Sequence, residues 1–313
     1  MNILVIFTGG TIGSCLKDGW ISTDATTKYM LLDRYKGGKD VFDIVEPYSI
    51  LSENLSASEI NCLQKEIAKN IDSDYDGIIV THGTDTLHYT SCAIEYAFAD
   101  SRLPIVFVSA DYPLENEKSN GYKNFEAAVE FIRSGAGAGV FVSYKNDNRE
   151  ETDIHIPSRI LSHAECSGNV YSIDGSTFAS YNGELALKGE KTDKECCPIG
   201  ITEYSAESGI LCIESYPGNN YGYSLAGIKA VILRPYHSST LNTANKGFAD
   251  FCARASELEI PVFLVNADGK KNYESLKALD ELEIQVLPYG TFVSAYMKIW
   301  AGISSADDAS KFL

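Results

Sequence analysis

The stretch SASEINCLQKEIAKNI, residues 56–71, decides the fold. Ser56 and Glu59 have the spacing of a capping box, and Ile60, Leu63, Ile67 and Ile71 then recur at helical intervals. This pattern predicts a helix carrying the chain from one short apolar run, Ile3–Phe7, to a second, Gly77–Thr81. Runs that are apolar without alternation are strands buried on both faces. Two more, Ile105–Ser109 and Val140–Ser143, follow helical patterns at Leu87–Phe98 and Phe125–Arg133. Strand alternating with helix in this way predicts a parallel sheet with helices on both faces.

Working outward, the pattern dissolves between Leu187 and Glu207 into LKGEKTDKECCPIGITEYSAE, rich in charge and turn formers, and then restarts. Strands are expected near Ile210–Ile213, Ala230–Leu233, Pro261–Val265 and Ile284–Leu287, with helical stretches at Phe248–Leu258, Tyr273–Leu282 and Thr291–Ile303. The expected class is α/β: a larger N-terminal domain (1–190) built on an open, mainly parallel sheet, a linker (191–207) and a smaller C-terminal α/β domain (208–313). A chain of 313 residues is long enough for that division.

Composition excludes several functions. The 43 acidic against 26 basic residues give a net charge of −17, a field that repels nucleic-acid phosphates and anionic lipid. Most of the excess lies before residue 205, where 31 acids face 17 bases; residues 205–313 hold 12 against 9. No run of about 18 apolar residues spans a membrane. MNILVIFTGG lacks a basic region and a cleavage site, so it reads as a first strand and not as a leader. Eight cysteines without C-x-x-C spacing read as reduced thiols, and the expected compartment is the cytoplasm.

In open parallel sheets, ligands meet the carboxyl ends of the strands. After the first strand comes Thr8-Gly9-Gly10-Thr11-Ile12-Gly13, and after the second His82-Gly83-Thr84-Asp85-Thr86. Thr8 stands where a dinucleotide fingerprint needs glycine, and no Gly-Lys-Ser/Thr makes a phosphate loop, so no cofactor is expected. What remains is a tight turn that lets backbone approach a ligand beside the Thr11 hydroxyl, or one in which Thr11 merely caps a following helix. His82, Asp85 and His88 would not converge on a metal, because strand-end and helical positions diverge; no metal is expected. Asp85 serves either a ligand or the helix start, and His82 suits a buried ring bonded to backbone.

Together, TGGTIG and HGTDT resemble the L-asparaginase family. Ser109-Ala-Asp-Tyr-Pro-Leu114 with Ser119-Asn-Gly-Tyr-Lys-Asn124 is similar to the family's block after the third strand in its cytoplasmic type I members, and Ile232-Leu-Arg-Pro-Tyr236 fits the second domain. The resemblance implies an amidohydrolase in which Thr11 attacks a small amide such as asparagine, ammonia leaves, and water hydrolyses the acyl-enzyme, with Thr84 as second catalytic hydroxyl. It implies that Asp85 and Glu53 bind the substrate ammonium, Ser52 its carboxylate, that Gly10 and Gly83 face the oxyanion, and that Ser109 lines the pocket. It also implies a homodimer or homotetramer.

Several positions depart from the family. Where relatives carry a catalytic lysine, Pro157-Ser158-Arg159 stands here, and a guanidinium cannot give and recover a proton near neutral pH. Arg159 therefore either takes the lysine's place beside Asp85 or is a surface charge, with Lys145 as another substitute. Trp20 occupies the flap in place of a tyrosine, Asn120 replaces an aspartate, and His237-Ser-Ser-Thr-Leu241 replaces a glycine-rich turn. These changes leave two further readings open: a diverged homologue that binds an amino acid or a partner with little turnover, and an ammonia-generating amidotransferase subunit. Such a subunit is expected to carry an additional N-terminal domain ahead of these motifs, which counts against the last reading.

Overall fold

The computed structural model describes residues 1–17, 19–23, 27–190, 199–266 and 273–305; Cys196, Cys197 and much of the expected linker lie outside them. The chain forms two compact units, Met1–Thr202 and Glu203–Leu313.

In the first unit, β1 (Asn2–Phe7) leads through a 3-10 turn (Thr11–Gly13) into a hairpin, β2 (Ser14–Lys17) and β3 (Trp20–Thr23). Then follow α1 (Thr27–Arg34), β4 (Val41–Val45), α2 (Ala57–Asn70), β5 (Gly77–Thr81), α3 (Leu87–Phe98), β6 (Pro104–Val108), α4 (Gly121–Ser134) and β7 (Gly139–Tyr144). The unit closes with β8 (Thr152–His155), β9 (Ala179–Tyr181) and β10 (Leu185–Leu187). The sheet order is β10-β9-β8-β7-β6-β5-β1-β4. Strands β4, β1, β5, β6 and β7 run parallel, and β8 to β10 extend the sheet antiparallel.

The capping box at Ser56 forms as the sequence predicts: the Ser58 N–H donates to Ser56 Oγ at 3.2 Å and the Ser56 N–H to Glu59 Oε2 at 3.0 Å. Ile60, Leu63 and Ile67 of α2 are buried, and such side chains contribute about 1.5–3 kcal/mol each on burial. Leu63 and Ile67 join Ile94 of α3 over Leu4, Ile6, Ile78 and Val80, while α4 covers the opposite face through Phe125, Val129 and Ile132 over Ile3, Val5, Ile79 and Val106. Covering both faces is why these strands read as unbroken apolar runs.

The second unit carries β11 (Ile210–Glu214), β12 (Ala230–Arg234), α5 (Lys246–Glu257), β13 (Val262–Asn266), β14 (Ile284–Tyr289) and α6 (Phe292–Ser304), with a parallel sheet in the order β11-β12-β13-β14. The helix expected over Tyr273–Leu282 is instead a 3-10 turn, Glu274–Ala278. Leu276, Leu279 and Leu282 recur every third residue, which matches the three-residue period of that turn better than 3.6.

Candidate active site

Strand β1 sits between β4 and β5, so the chain leaves β1 toward one edge of the sheet and β5 toward the other. That reversal opens a crevice at the carboxyl ends of β1 and β5, where the two threonine-glycine motifs lie. The loop after β4 closes it: Gly9 bridges Ile50 in parallel, the Gly10 N–H donates to the Ile50 carbonyl at 2.8 Å, and the Ile50 N–H donates to the Thr8 carbonyl at 3.1 Å. The Thr8 hydroxyl reaches across to the Thr81 carbonyl at 2.6 Å.

Gly10 has φ +75° and ψ −178°, a conformation open essentially to glycine alone. A side chain there would collide with the backbone N and Cα of Gly83. The motifs therefore touch backbone to backbone at the glycines that precede Thr11 and Thr84. Thr11 opens a 3-10 turn and caps no α-helix, since the hairpin follows directly; its side chain is half-buried. Because the Gly10 N–H is committed to Ile50, it is not left for an oxyanion.

Ser52 is buried, and a Cβ on Gly83 would meet its side chain. Its hydroxyl donates to Asp85 Oδ2 at 3.4 Å, and the Thr86 hydroxyl donates to its carbonyl at 2.9 Å. Asp85 is exposed and does not cap α3; the N-cap is Thr86, whose hydroxyl is turned to Ser52. The structure thus brings together Gly10, Thr11, Ser52, Gly83, Thr84 and Asp85. Glu53 is exposed on the neighbouring 3-10 turn Ser52–Asn54, and Trp20, 77% exposed at the start of β3, faces solvent. Ser109 is wholly buried, and its hydroxyl has no hydrogen-bond partner among the described residues.

Arg159 ends a 3-10 turn, Pro157–Arg159, and is half-buried; the preceding Ser158 N–H donates to the buried Glu95 of α3 at 2.6 Å. Lys145 lines an open cleft of about 500 Å³ with Lys118, Lys123 and Asn120, at the ends of β6 and β7. Asn120 explains its own departure from aspartate. Its Oδ1 accepts from the Asp111 N–H at 3.0 Å, and its Nδ2 donates to the Lys145 carbonyl at 2.8 Å. A carboxylate would set oxygen against that carbonyl, so Asn120→Asp is expected to cost about 1–3 kcal/mol, read as a lower urea midpoint.

Sequence reasoning missed one residue at the site, His163. Its Nε2 lies 3.0 Å from the Thr84 carbonyl, and its ring meets His88 of α3 edge-on at 5.3 Å. It comes from a stretch without strand or helix periodicity, 79 residues beyond Thr84, so no local signal announces it. Among the described residues no group of three or more metal-binding side chains occurs, and no helix is long and apolar enough to cross a membrane.

His82 is fully buried with Nδ1 2.8 Å from the Gly83 carbonyl, and burial lowers its pKa to about 4. His155 on β8, bonded through Nδ1 to Ser172 Oγ at 2.8 Å, is lowered to about 4 for the same reason. The unfolded rings bind protons near the ordinary 6.5, so the unfolded state takes up protons first. Stability is full above pH 6.5 and declines as pH falls toward 4, by about 3 kcal/mol for each ring at the lower limit. Urea unfolding across this range should show that decline, and His155→Gln should remove roughly half of the histidine part; an unchanged slope in the variant contradicts it.

The family description "Asparaginase, N-terminal" matches residues 2–185. An L-asparaginase of Thermococcus kodakarensis is 31% identical over 149 residues, 46% of this chain and 44% of that protein. A glutamyl-tRNA(Gln) amidotransferase subunit of Methanosarcina mazei is 24% identical over 288 residues, 85% of this chain and 64% of the relative. The chain spans between a third and just under two thirds of the length of the curated relatives it matches first. In fold, it superposes on the thermostable L-asparaginase from Thermococcus kodakarensis with a TM-score of 0.81 at 20% identity, covering 100% of this chain and 95% of the other.

Proposed function

The chain belongs to the asparaginase family, and from that premise we propose that it is an amidohydrolase that releases ammonia from L-asparagine or a related small amide. The observation that supports this reading is the backbone contact between Gly10 and Gly83, the neighbours in the chain of the half-buried Thr11 and of Thr84, at the switch point of the sheet. Thr11 Oγ attacks the side-chain carbonyl carbon, its proton is relayed to the amide nitrogen, and the tetrahedral oxyanion collapses with cleavage of the C–N bond to expel ammonia. Water then cleaves the ester to release the acid and restore Thr11. With the Gly10 N–H held by Ile50, the oxyanion is stabilised by the Gly83 N–H and its neighbours, each such donor typically contributing about 2.7–4 kcal/mol. Asp85, with Glu53, binds the substrate ammonium, and the Ser52 hydroxyl, which donates to Asp85 Oδ2 at 3.4 Å without substrate, turns to its carboxylate.

Ammonia release from L-asparagine, L-glutamine and D-asparagine, with hydroxylamine present to capture the acyl-enzyme as a hydroxamate, tests the reading. Release without hydroxamate refutes the acyl-enzyme, and no release from any of the three refutes the reading. Arg159 favours a second reading, a homologue that binds an amino acid or partner with little turnover, because its guanidinium holds a charge without exchanging a proton. Arg159→Lys should then raise a low kcat about tenfold or more; an unchanged rate removes Arg159 from the proton path. The same premise extends to a homodimer or homotetramer, checked by sedimentation.

A further inference from the structure

We propose that His163 is a positioning residue for the Thr84 turn, clamping the Thr84 carbonyl to the Asn169 carbonyl as a doubly protonated ring; the proposal rests on the reading of Thr84 as part of the amide-hydrolysing site. Both ring nitrogens face carbonyl oxygens, Nε2 that of Thr84 at 3.0 Å and Nδ1 that of Asn169 at 3.2 Å. Carbonyls only accept, and a neutral imidazole carries a single N–H. In the neutral ring one of the two contacts sets lone pair against lone pair, and only the imidazolium donates to both.

A second shortage of protons lies along the same segment. The Tyr144 hydroxyl faces the Asp111 carboxyl at 2.5 Å and the Gly168 carbonyl at 2.7 Å, with one proton for two acceptors. Four contacts thus draw on two protons when His163 is neutral and Asp111 ionised, and on four when both are protonated. Burial raises the Asp111 carboxyl, with the Tyr144 hydrogen bond and a charged His163 ring pulling it the other way.

The far end of the clamp is rigid. Asn146 accepts from the Val170 N–H and donates to the Val170 carbonyl, both at 2.8 Å, and the Asp147 N–H donates to Asn169 Oδ1 at 3.0 Å. Residues 168–170 are therefore fastened to the end of β7, and His163 carries that rigidity to the Thr84 carbonyl, which also accepts from the Leu87 N–H at 3.2 Å. Of the titratable groups, His88 of α3 meets the ring edge-on and Asp111 after β6 interacts with it electrostatically, while Tyr144 and Asp147, of β7 and its following turn, act on Asp111.

The Asp85 amide nitrogen is bonded to the Thr84 carbonyl carbon, so its ¹⁵N shift reports on the clamp with or without turnover. From pH 5 to 8.5, the wild-type Asp85 shift should follow the His163 ring resonances, and in His163→Gln it should lose that titration. In the variant, kcat at low pH should fall about tenfold with KM within about twofold, and the pH dependence of kcat should flatten. An Asp85 shift indifferent to the ring, a ring neutral throughout the range, or a variant with the wild-type profile overturns the clamp. A wild type that hydrolyses no amide while its Asp85 shift follows His163 overturns the amidohydrolase reading and leaves the clamp standing.

Discussion

Thr11→Ala is expected to lower kcat for amide hydrolysis by about 10³-fold or more while leaving KM within a few-fold, because it removes the nucleophile and little else. Thr11 opens a 3-10 turn with its side chain half-buried and capping no helix, so truncation costs little stability and the variant should melt within a few degrees of the parent. Thr11→Ser keeps the hydroxyl and should retain far more activity than alanine. Continuous ammonia detection with hydroxamate capture reads both effects, since the alanine variant should form no hydroxamate. If Thr11→Ala keeps wild-type turnover, the nucleophile lies elsewhere, and Thr84 becomes the next position to test.

Gly10→Ala should do the opposite, harming the fold as well as the chemistry. The residue sits at φ +75° with an extended ψ, a conformation costing a non-glycine residue about 1–3 kcal/mol, and the new methyl also overlaps the Gly83 backbone, which cannot step aside as a flexible side chain can. A loss of roughly 3–5 kcal/mol follows, with the two motifs pushed apart and activity abolished. Gly83→Ala supplies the comparison: its methyl would also clash, with the Oγ and Cβ of Ser52, but Gly83 has no left-handed φ to strain, so it should be the milder of the two. Urea midpoints and kcat for both variants test the order, and a Gly10→Ala protein as stable and active as its parent contradicts the contact.

How much of this was legible in the sequence depends on the range over which each signal acts. The helix at 57–70 was readable because capping and amphipathic spacing are local, and the buried strands because their apolar runs are unbroken. The carboxyl-end rule then located both motifs. Strands β8, β9 and β10 were missed, since three or four residues carry too little periodicity to declare a strand, and they form by pairing with neighbours already in place. The hairpin after Gly13 was hidden in what reads as a loop. At the site, Gly10, Gly83, Thr11 and Thr84 were visible as motif residues, but their backbone contact was not. That Asn120 must donate as well as accept, and that His163 reaches Thr84, depends on distant chain folding back, which no local pattern encodes.

Helix α3 begins immediately beyond the Thr84 turn, and the hydroxyl that would ordinarily cap it is bonded to the Ser52 carbonyl. The positive end of its macrodipole, equivalent to about half an elementary charge, is thus turned toward the crevice without a capping side chain. Eleven of its twelve residues are buried, while Thr84, Asp85 and Thr86 just before it are at least partly open to solvent. In a molecule of net charge −17, this uncapped helix end is a partial positive charge that stands one residue from the Asp85 carboxylate.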